Sequence, residues 1–290
     1  MALSAPGRTL AIDRLTGIYL VVTGLYALLL GGGPGAVIAG IHLAALVAIR
    51  LARRWTPERG IGAFVRVAYP TMLMPFMYRE LAHLNRFVTE RTFDDIVIAW
   101  EGALFGGQPS IDLSAMLPWF PVSEVIHLGY MSYYLLMPIA LAAAFFASGK
   151  QGAHRAAFTL MLAFYACYAC FIAFPVAGPR YEFARIGGAL ADGSMYSIVH
   201  DILESGSSKG TAFPSSHVAA SLSVVLAAAR EDRRWLWALA APEALLIVGT
   251  VYGRFHYAID ALVGVGFGLA VWAAAPRLMR ALGGRREVAG

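Results

Sequence analysis

Charged residues are scarce in this chain of 290 residues. Asp, Glu, Lys and Arg together make up 14% of it, against 59% for hydrophobic residues, whereas soluble domains carry about 25% charged residues. The shortage excludes an ordinary soluble domain and favours a polytopic membrane protein. A net charge of +5 would also fit nucleic-acid binding. The basic residues collect in short loops between apolar segments, however, which is typical of membrane topology, so we expect no nucleic-acid partner.

The sequence has only two cysteines and shows no evident cleavable leader or internal repeat. The two cysteines, Cys167 and Cys170, lie in one apolar run. Their C-x-x-C spacing is a weak signal for metal or redox chemistry, and we interpret them as small packing residues. The first apolar segment, Leu15 to Leu30, lacks a small-residue cleavage site, so we interpret it as a retained helix. Without an internal repeat, a transporter architecture is disfavoured.

Long apolar runs are what the sequence has in quantity. A membrane-spanning helix needs about 20 mostly apolar residues, and its backbone must satisfy its own hydrogen bonds. Candidate spans lie at roughly 13–31, 35–52, 61–79, 124–148, 155–176, 213–230, 235–253 and 256–278. The sequence thus predicts an all-α polytopic bundle of about eight transmembrane helices. We divide it into an N-terminal helix pair, 1–60, and a six-helix catalytic core, 61–290, with an outer interfacial segment at 80–123.

The charges of the loops predict the orientation. With the N-terminus inside, the inner segments collect 15 of the 23 basic residues: Arg8, Arg14, Arg50, Arg53, Arg54, Arg59, Lys150, Arg155, Arg230, Arg233, Arg234, Arg277, Arg280, Arg285 and Arg286. Most acidic residues fall in the outer segments. By the positive-inside rule, both termini are expected in the cytoplasm of a multi-pass cell-membrane protein. The same count places Arg180, His217, Arg254 and His256 together at the outer face.

Two short polar stretches punctuate the C-terminal half. Phe213 to His217 reads FPSSH, and Tyr252 to Asp260 reads YGRFHYAID. His256 and Asp260 are four residues apart, which on a helix puts them on one face. A carboxylate there can fix the tautomer of the imidazole and make it a better nucleophile or base. Polar groups at membrane depth are costly, so this cluster is a candidate active site.

These stretches resemble the type 2 phosphatidic acid phosphatase superfamily, whose motifs are K-x6-RP, PSGH and SR-x5-H-x3-D. Pro214 to His217 matches the second motif, with Ser216 in place of glycine, and His256-x3-Asp260 matches the end of the third. The usual arginine of that motif is Thr250 here, and an arginine stands at Arg254 instead. The first motif is eroded to Gly178 to Tyr181. Such departures are similar to the branch of inositol phosphorylceramide synthases and their bacterial relatives.

The resemblance implies the chemistry of the site. His256 would attack phosphorus and form a phosphohistidine, Asp260 would orient His256, and His217 would protonate the leaving alcohol and then activate the acceptor. Arginine suits phosphate because of its planar fork. We therefore expect the phosphate to be bound by these groups: Arg180, Arg254, Ser215, Ser216 and backbone N–H groups at the helix start after Pro214. No metal ion or other cofactor is implied, and the substrates would be membrane lipids.

Three functions remain open at this point. The branch favours transfer of a phosphate or phospho-headgroup between lipids at the outer leaflet, and the wider superfamily favours hydrolysis of a lipid phosphate. A lipid transporter or scramblase is the third, and it need not bind the transition-state mimic vanadate. The sequence does not identify the donor and acceptor lipids, the oligomeric state, or the role of segment 80–123. Glu243, in mid-span, is expected to face the bundle interior.

Overall fold

A computed structural model describes residues 9–283, and the chain within them is an all-α polytopic helix bundle. Arg8, Arg285, Arg286 and both termini, which entered the topology prediction, lie outside these residues. The helices are α1 (Ala11–Leu30), α2 (Gly32–Ala52), α3 (Gly60–Leu84), α4 (Asp94–Phe105), α5 (Pro109–Met116), α6 (Phe120–Met131), α7 (Tyr133–Ala173), α8 (Pro179–Glu182), α9 (Ser194–Gly206), α10 (Ser216–Glu231), α11 (Arg234–Tyr252) and α12 (Ala258–Gly283). A 3-10 turn lies at Gly188–Ala191.

Most of the long helices follow the predicted spans to within a few residues, but the span predicted at 124–148 is shared between the end of α6 and the start of α7. Among the described residues, length and hydropathy qualify α1, α2, α7, α11 and α12 as membrane spans. Helix α7 counts once although it contains 41 residues and covers two predicted spans. It bends at Ser148 and Gly149, and Gly149 has a φ of 58°, a conformation that glycine adopts without steric cost. The number of crossings, eight, stays a prediction.

Helix α10 is more polar than these spans and lies inside the bundle. Helix α10 has 16 residues, and its serines Ser216, Ser221 and Ser223 are buried. It packs against α7, α11 and α12. Small residues let the backbones approach closely: a Cβ added at Gly264 of α12 would lie 2.8 Å from the carbonyl oxygen of Ser215. Helix α10 is therefore the central helix that carries FPSSH into the core.

Helix α3 is joined to the N-terminal helices by a buried ion pair. Arg66 donates to both oxygens of Asp13 on α1, at 2.9 and 2.7 Å, and Tyr69 donates to the same carboxylate at 3.0 Å. Pairing of this kind offsets the cost of burying both charges. Helix α1 also packs against α7 and α12, and it shares one hydrophobic core with them. The division at residue 60 stays a prediction.

The short helices gather around the ends of α3, α10, α11 and α12. Helix α4 lies within the predicted interfacial segment 80–123. The segment 177–212 contains α8, the 3-10 turn and α9. Its end is packed, since the hydroxyl of Ser208 donates to the carbonyl of Tyr78 at 3.1 Å. The sequence carried a signal for α9: Tyr196, Val199 and Leu203 are its buried residues and have helical spacing.

Candidate active site

The two polar stretches meet at one end of the bundle. His217 lies in the first turn of α10, and His256 lies in the linker between α11 and α12. The Nε2 of His256 is 3.3 Å from the Nδ1 of His217. The linker is held in place because the carbonyl of Thr250 accepts hydrogen bonds from the N–H groups of Phe255 and His256, at 3.1 and 2.9 Å. The structure thus brings together the two histidines that the sequence placed on one face of the membrane.

Hydrogen-bond partners assign the tautomers of both rings. The Nδ1 of His256 is 3.0 Å from the carbonyl oxygen of Ala212, which can only accept, so this nitrogen carries the hydrogen. The Nε2 of His256 then carries no hydrogen, and its lone pair accepts a hydrogen bond from Nδ1 of His217. The Nε2 of His217 in turn accepts from the hydroxyl of Tyr130, at 3.3 Å. The chain of hydrogen bonds from Tyr130 through His217 therefore ends on the unprotonated Nε2 of His256.

Burial keeps His256 neutral. Its ring is almost entirely enclosed, and this desolvation lowers the pKa of His256 to about 4, while the Ala212 carbonyl acts in the opposite direction. An imidazole with such a pKa is unprotonated at neutral pH. His256 is therefore in the form that can act as a nucleophile.

Asp260 does not share a helix face with His256, although the sequence predicted that it would. Helix α12 begins at Ala258, so His256 precedes the helix and that premise is wrong. The linker nevertheless folds back and leaves Asp260 Oδ2 3.5 Å from His256 Nδ1. The same oxygen accepts from the N–H of Tyr257 at 2.9 Å, which caps the N-terminus of α12. Asp260 thus has a capping contact that is shorter than its contact to the imidazole.

The serines of FPSSH differ in how free they are. Ser215 is fully buried, its hydroxyl accepts from the N–H of Val218 at 3.4 Å, and its own N–H donates to the Asp260 carbonyl at 3.0 Å. It is therefore the N-cap of α10 and a link between α10 and α12. Ser216 lines a cavity together with His217. Of the two predicted phosphate donors, Ser216 is the more available.

The two predicted arginine clamps make other contacts in this structure. Arg180 donates to the hydroxyl of Ser207 at 3.1 Å and to the carbonyl of Leu203 at 3.4 Å. Arg254, with a φ of 58°, donates to the carbonyl of Ala184 and, at 3.1 Å, to the hydroxyl of Ser114. None of these hydrogen bonds goes to a histidine. The phosphate role of both arginines stays a prediction.

A family model described as the PAP2 superfamily matches residues 97–274, more than half of the chain. The chain belongs to the PAP2 superfamily. No curated protein and no solved structure matches it. Membership confirms the superfamily predicted from FPSSH and H-x3-D, and it places the chain among membrane enzymes of the lipid phosphatase and phosphotransferase type. The particular branch stays a prediction.

The matched region of this PAP2 protein begins within α4, so helices α1 to α3 lie outside it. Helix α4 contributes two buried carboxylates that sequence reasoning did not assign to the site. Asp94 accepts from the N–H groups of Ala177 and Gly178 at 2.9 and 2.8 Å, and from the hydroxyl of Tyr257 at 3.1 Å. This carboxylate fastens the segment before Arg180 to the His256 linker.

Glu101 lies about two helical turns after Asp94 on the same face of α4 and holds the start of α12. It accepts from the N–H groups of Ala258 and Ile259, and its second oxygen has no hydrogen-bond partner among residues 9–283. Burial raises the pKa of Glu101 to about 7, although the two backbone donors lower it. The signal for both carboxylates was their spacing: Asp94, Val97 and Glu101 are the buried residues of α4, an acidic edge on an apolar helix face.

His217 also opens onto a cavity of the PAP2 bundle, which we name the tyrosine cavity. It measures 280 Å³ and lies between α3, α7, α9 and α10. Its wall includes Tyr78, Tyr133, Tyr134 and Tyr168, and the ring of Tyr133 lies 4.4 Å from that of His217 between centroids. His217 lines the cavity, and His256 is not among its lining residues. A group that enters it therefore meets His217 first.

Proposed function

We propose that this protein is a membrane-embedded phosphotransferase that moves a phosphate or phospho-headgroup between lipids through a phosphohistidine on His256. The supporting observation is the unprotonated Nε2 of a neutral, buried His256, which accepts a hydrogen bond from His217. Membership of the PAP2 superfamily supports phosphate-ester chemistry on lipids. The resemblance to the inositol phosphorylceramide synthase branch supports transfer over hydrolysis.

In the first half-reaction, Nε2 of His256 forms a bond to phosphorus as the bond from phosphorus to the alcohol oxygen breaks. The electron pair of the broken bond stays on the alcohol, and His217 gives it a proton. A bound phosphate anion favours the protonated imidazole that this step needs. Since the two rings are now in hydrogen-bond contact at 3.3 Å, His217 must turn aside to admit the phosphoryl group.

In the second half-reaction, His217 takes the proton of an acceptor hydroxyl, whose oxygen attacks the phosphohistidine and releases His256. Asp260 stabilises the positive charge that His256 carries while it is phosphorylated. Arg180, Arg254, Ser216 and the N-terminus of α10 bind the phosphate oxygens. Arg254 must exchange its contact with Ser114 for the phosphate to take part. Ser215 acts through the cap that positions His217.

We place the reaction at the outer leaflet, with both termini in the cytoplasm. The basic residues Arg155, Arg230 and Arg280 line a cavity between α7, α10 and α12, and all three belong to the segments that the positive-inside rule assigns to the cytoplasm. The linker of His256 and the first turn of α10 belong to the segments assigned to the outside.

Phosphoenzyme trapped by an alkaline quench is the test. Purified enzyme mixed with a lipid phosphate labelled with ³²P should retain label on protein that is acid-labile and base-stable. His256→Ala should abolish both label and turnover, while His154→Ala, a buried histidine on the opposite cavity, should retain both if it folds. Label that survives in His256→Ala would contradict the mechanism.

The products then distinguish transfer from hydrolysis. With a second lipid present, a transferase forms labelled lipid, whereas a hydrolase releases inorganic phosphate whatever lipid is added. Vanadate should inhibit either enzyme because it mimics the transferring phosphoryl group. Lipid movement without any labelled product would instead indicate a scramblase.

A further inference from the structure

A second cavity adjoins the tyrosine cavity on the side of the N-terminal helices. This α2–α3 crevice measures 530 Å³ and is lined by Ile38 and Ile41 of α2, Phe76 and Arg79 of α3, and residues 205–208. Arg79, Gly206 and Ser207 line both cavities. The two cavities therefore lie side by side at Arg79, and the crevice is built largely outside the PAP2 match.

The walls of the crevice suit the body of a lipid. Phe76 and Ile41 are 74% and 60% exposed, so the apolar edge faces the surroundings of the bundle. The carboxylate of Glu80 is held by Nε2 of His42 at 2.9 Å, which leaves Arg79 as the charged group common to both cavities. Serine hydroxyls at 205 and 207 complete a polar rim. An apolar slot with a polar rim fits an amphiphile that lies across the membrane boundary.

The chemistry of His217 identifies which lipid this is. The group that reaches His217 through the tyrosine cavity is the alcohol oxygen, because His217 gives or takes the proton of that oxygen. Tyr168 lines the same cavity, and its hydroxyl, which the surrounding side chains enclose, has no hydrogen-bond partner among residues 9–283. A buried hydroxyl without a partner is costly unless a ligand satisfies it. A neutral, hydroxyl-bearing ligand would do so.

We propose that the α2–α3 crevice binds the lipid body of the alcohol that leaves or accepts the phospho group, with its hydroxyl extending past Arg79 to His217. This inference rests on the proposed function, which it deepens by assigning a lipid alcohol to helices α2 and α3. It also gives the helices outside the PAP2 match a role in selecting the acceptor.

A tryptophan that fills the crevice tests the assignment. Ile41→Trp blocks the space, and Leu43→Trp is its matched control, since Leu43 is equally exposed on α2 but does not line the crevice. Phosphoenzyme is formed from para-nitrophenyl phosphate, which carries no lipid, and diacylglycerol is added as acceptor. Ile41→Trp should form phosphoenzyme like wild type and transfer to diacylglycerol at least tenfold more slowly. Leu43→Trp should do both normally.

A diacylglycerol with a diazirine in its acyl chain provides a readout that needs no turnover. On irradiation it should label peptides of α2 and α3 in wild type and Leu43→Trp, and this label should be lost in Ile41→Trp. Unchanged labelling and transfer in Ile41→Trp would overturn the crevice assignment. Absence of phosphoenzyme in wild type would contradict the proposed function, and the photolabel would still decide whether the crevice binds the lipid.

Discussion

Replacing Asp260 by Asn separates its electrostatic contact from its capping contact. The carboxylate lies 3.5 Å from Nδ1 of His256 and accepts from the N–H of Tyr257 at 2.9 Å. Asparagine keeps an oxygen for the Tyr257 N–H, so α12 stays capped. It loses the negative charge that faces the imidazole. Because His256 is neutral at rest, the loss is felt as positive charge develops on the ring in the transition state, which lowers kcat rather than raising KM.

The distance sets the magnitude of this loss. Two unit charges 3.5 Å apart attract by about 5 kcal/mol at an effective dielectric constant of about 20. If half of the charge has developed in the transition state, about 2 kcal/mol is lost. Asp260→Asn should therefore lower kcat by roughly 30-fold, since about 1.4 kcal/mol corresponds to a factor of ten.

Single-turnover formation of phosphoenzyme measures this step directly, and thermal unfolding of the same protein reports the cap. Asp260→Ala removes the charge and the cap together. It should show the same kinetic loss, and its Tm should fall because the free energy of unfolding decreases by about 1 kcal/mol. If Asp260→Asn keeps more than a tenth of the wild-type rate while Asp260→Ala lowers Tm, the carboxylate serves the helix and not the histidine.

Four further predictions concern other parts of the site. Since burial lowers the pKa of His256 to about 4, phosphoenzyme formation from para-nitrophenyl phosphate, whose leaving group does not need the proton of His217, should hold as pH falls through 6.5 and decline only near pH 4, where His256 itself becomes protonated; a decline centred on 6.5 would contradict the buried, neutral ring. Arg254→Lys keeps the charge and loses the fork, so we expect a decrease in kcat of about 10²-fold, with full activity in this variant excluding a clamp role. The pKa of Glu101 in the folded protein, about 7, lies above the ordinary value of 4.5, so the folded state binds more protons between these values and stability falls as pH rises through that window; Glu101→Gln should flatten the dependence of Tm on pH, and an unchanged slope would refute the shift. Finally, with both native cysteines removed, Ser205→Cys should react with an impermeant thiol reagent in intact cells and Gln151→Cys should not, and the reverse pattern would invert the topology.

Much of the fold could be predicted because lipid imposes it. An apolar run of membrane length has few structures open to it, and the long helices accordingly begin and end near the predicted residues. The histidines could be predicted for a related reason: polar residues at the ends of apolar runs are costly, so His217 and His256 stood out. Helix α9 was missed because its apolar positions alternate with serine, aspartate and glutamate in a short segment that resembles a loop.

The contacts that position the site could not be predicted. The carbonyl oxygens of Ala212 and Thr250 hold His256, but every residue has a carbonyl, so no side chain marks them. The step from His256 to Asp260 was misinterpreted for a similar reason. A spacing of four predicts a shared helix face only within a helix, and α12 begins two residues after His256. Where a helix begins depends on capping contacts that form only in the folded chain.

The carboxylates of Asp94 and Glu101 accept hydrogen bonds from backbone amides, and this determines which substitutions the site tolerates. The four amides belong to residues 177, 178, 258 and 259. Because a main-chain N–H is the same in almost every amino acid, the contacts with α4 place no requirement on the side chains at these positions. Proline is the exception, since it has no N–H to offer. Gly178 carries a further demand, because its φ is 101° and an added Cβ would lie 3.1 Å from the Cβ of Ala212, so glycine is needed there. At the other three positions the contact with α4 excludes only proline, while the two acids on α4 admit few replacements at all.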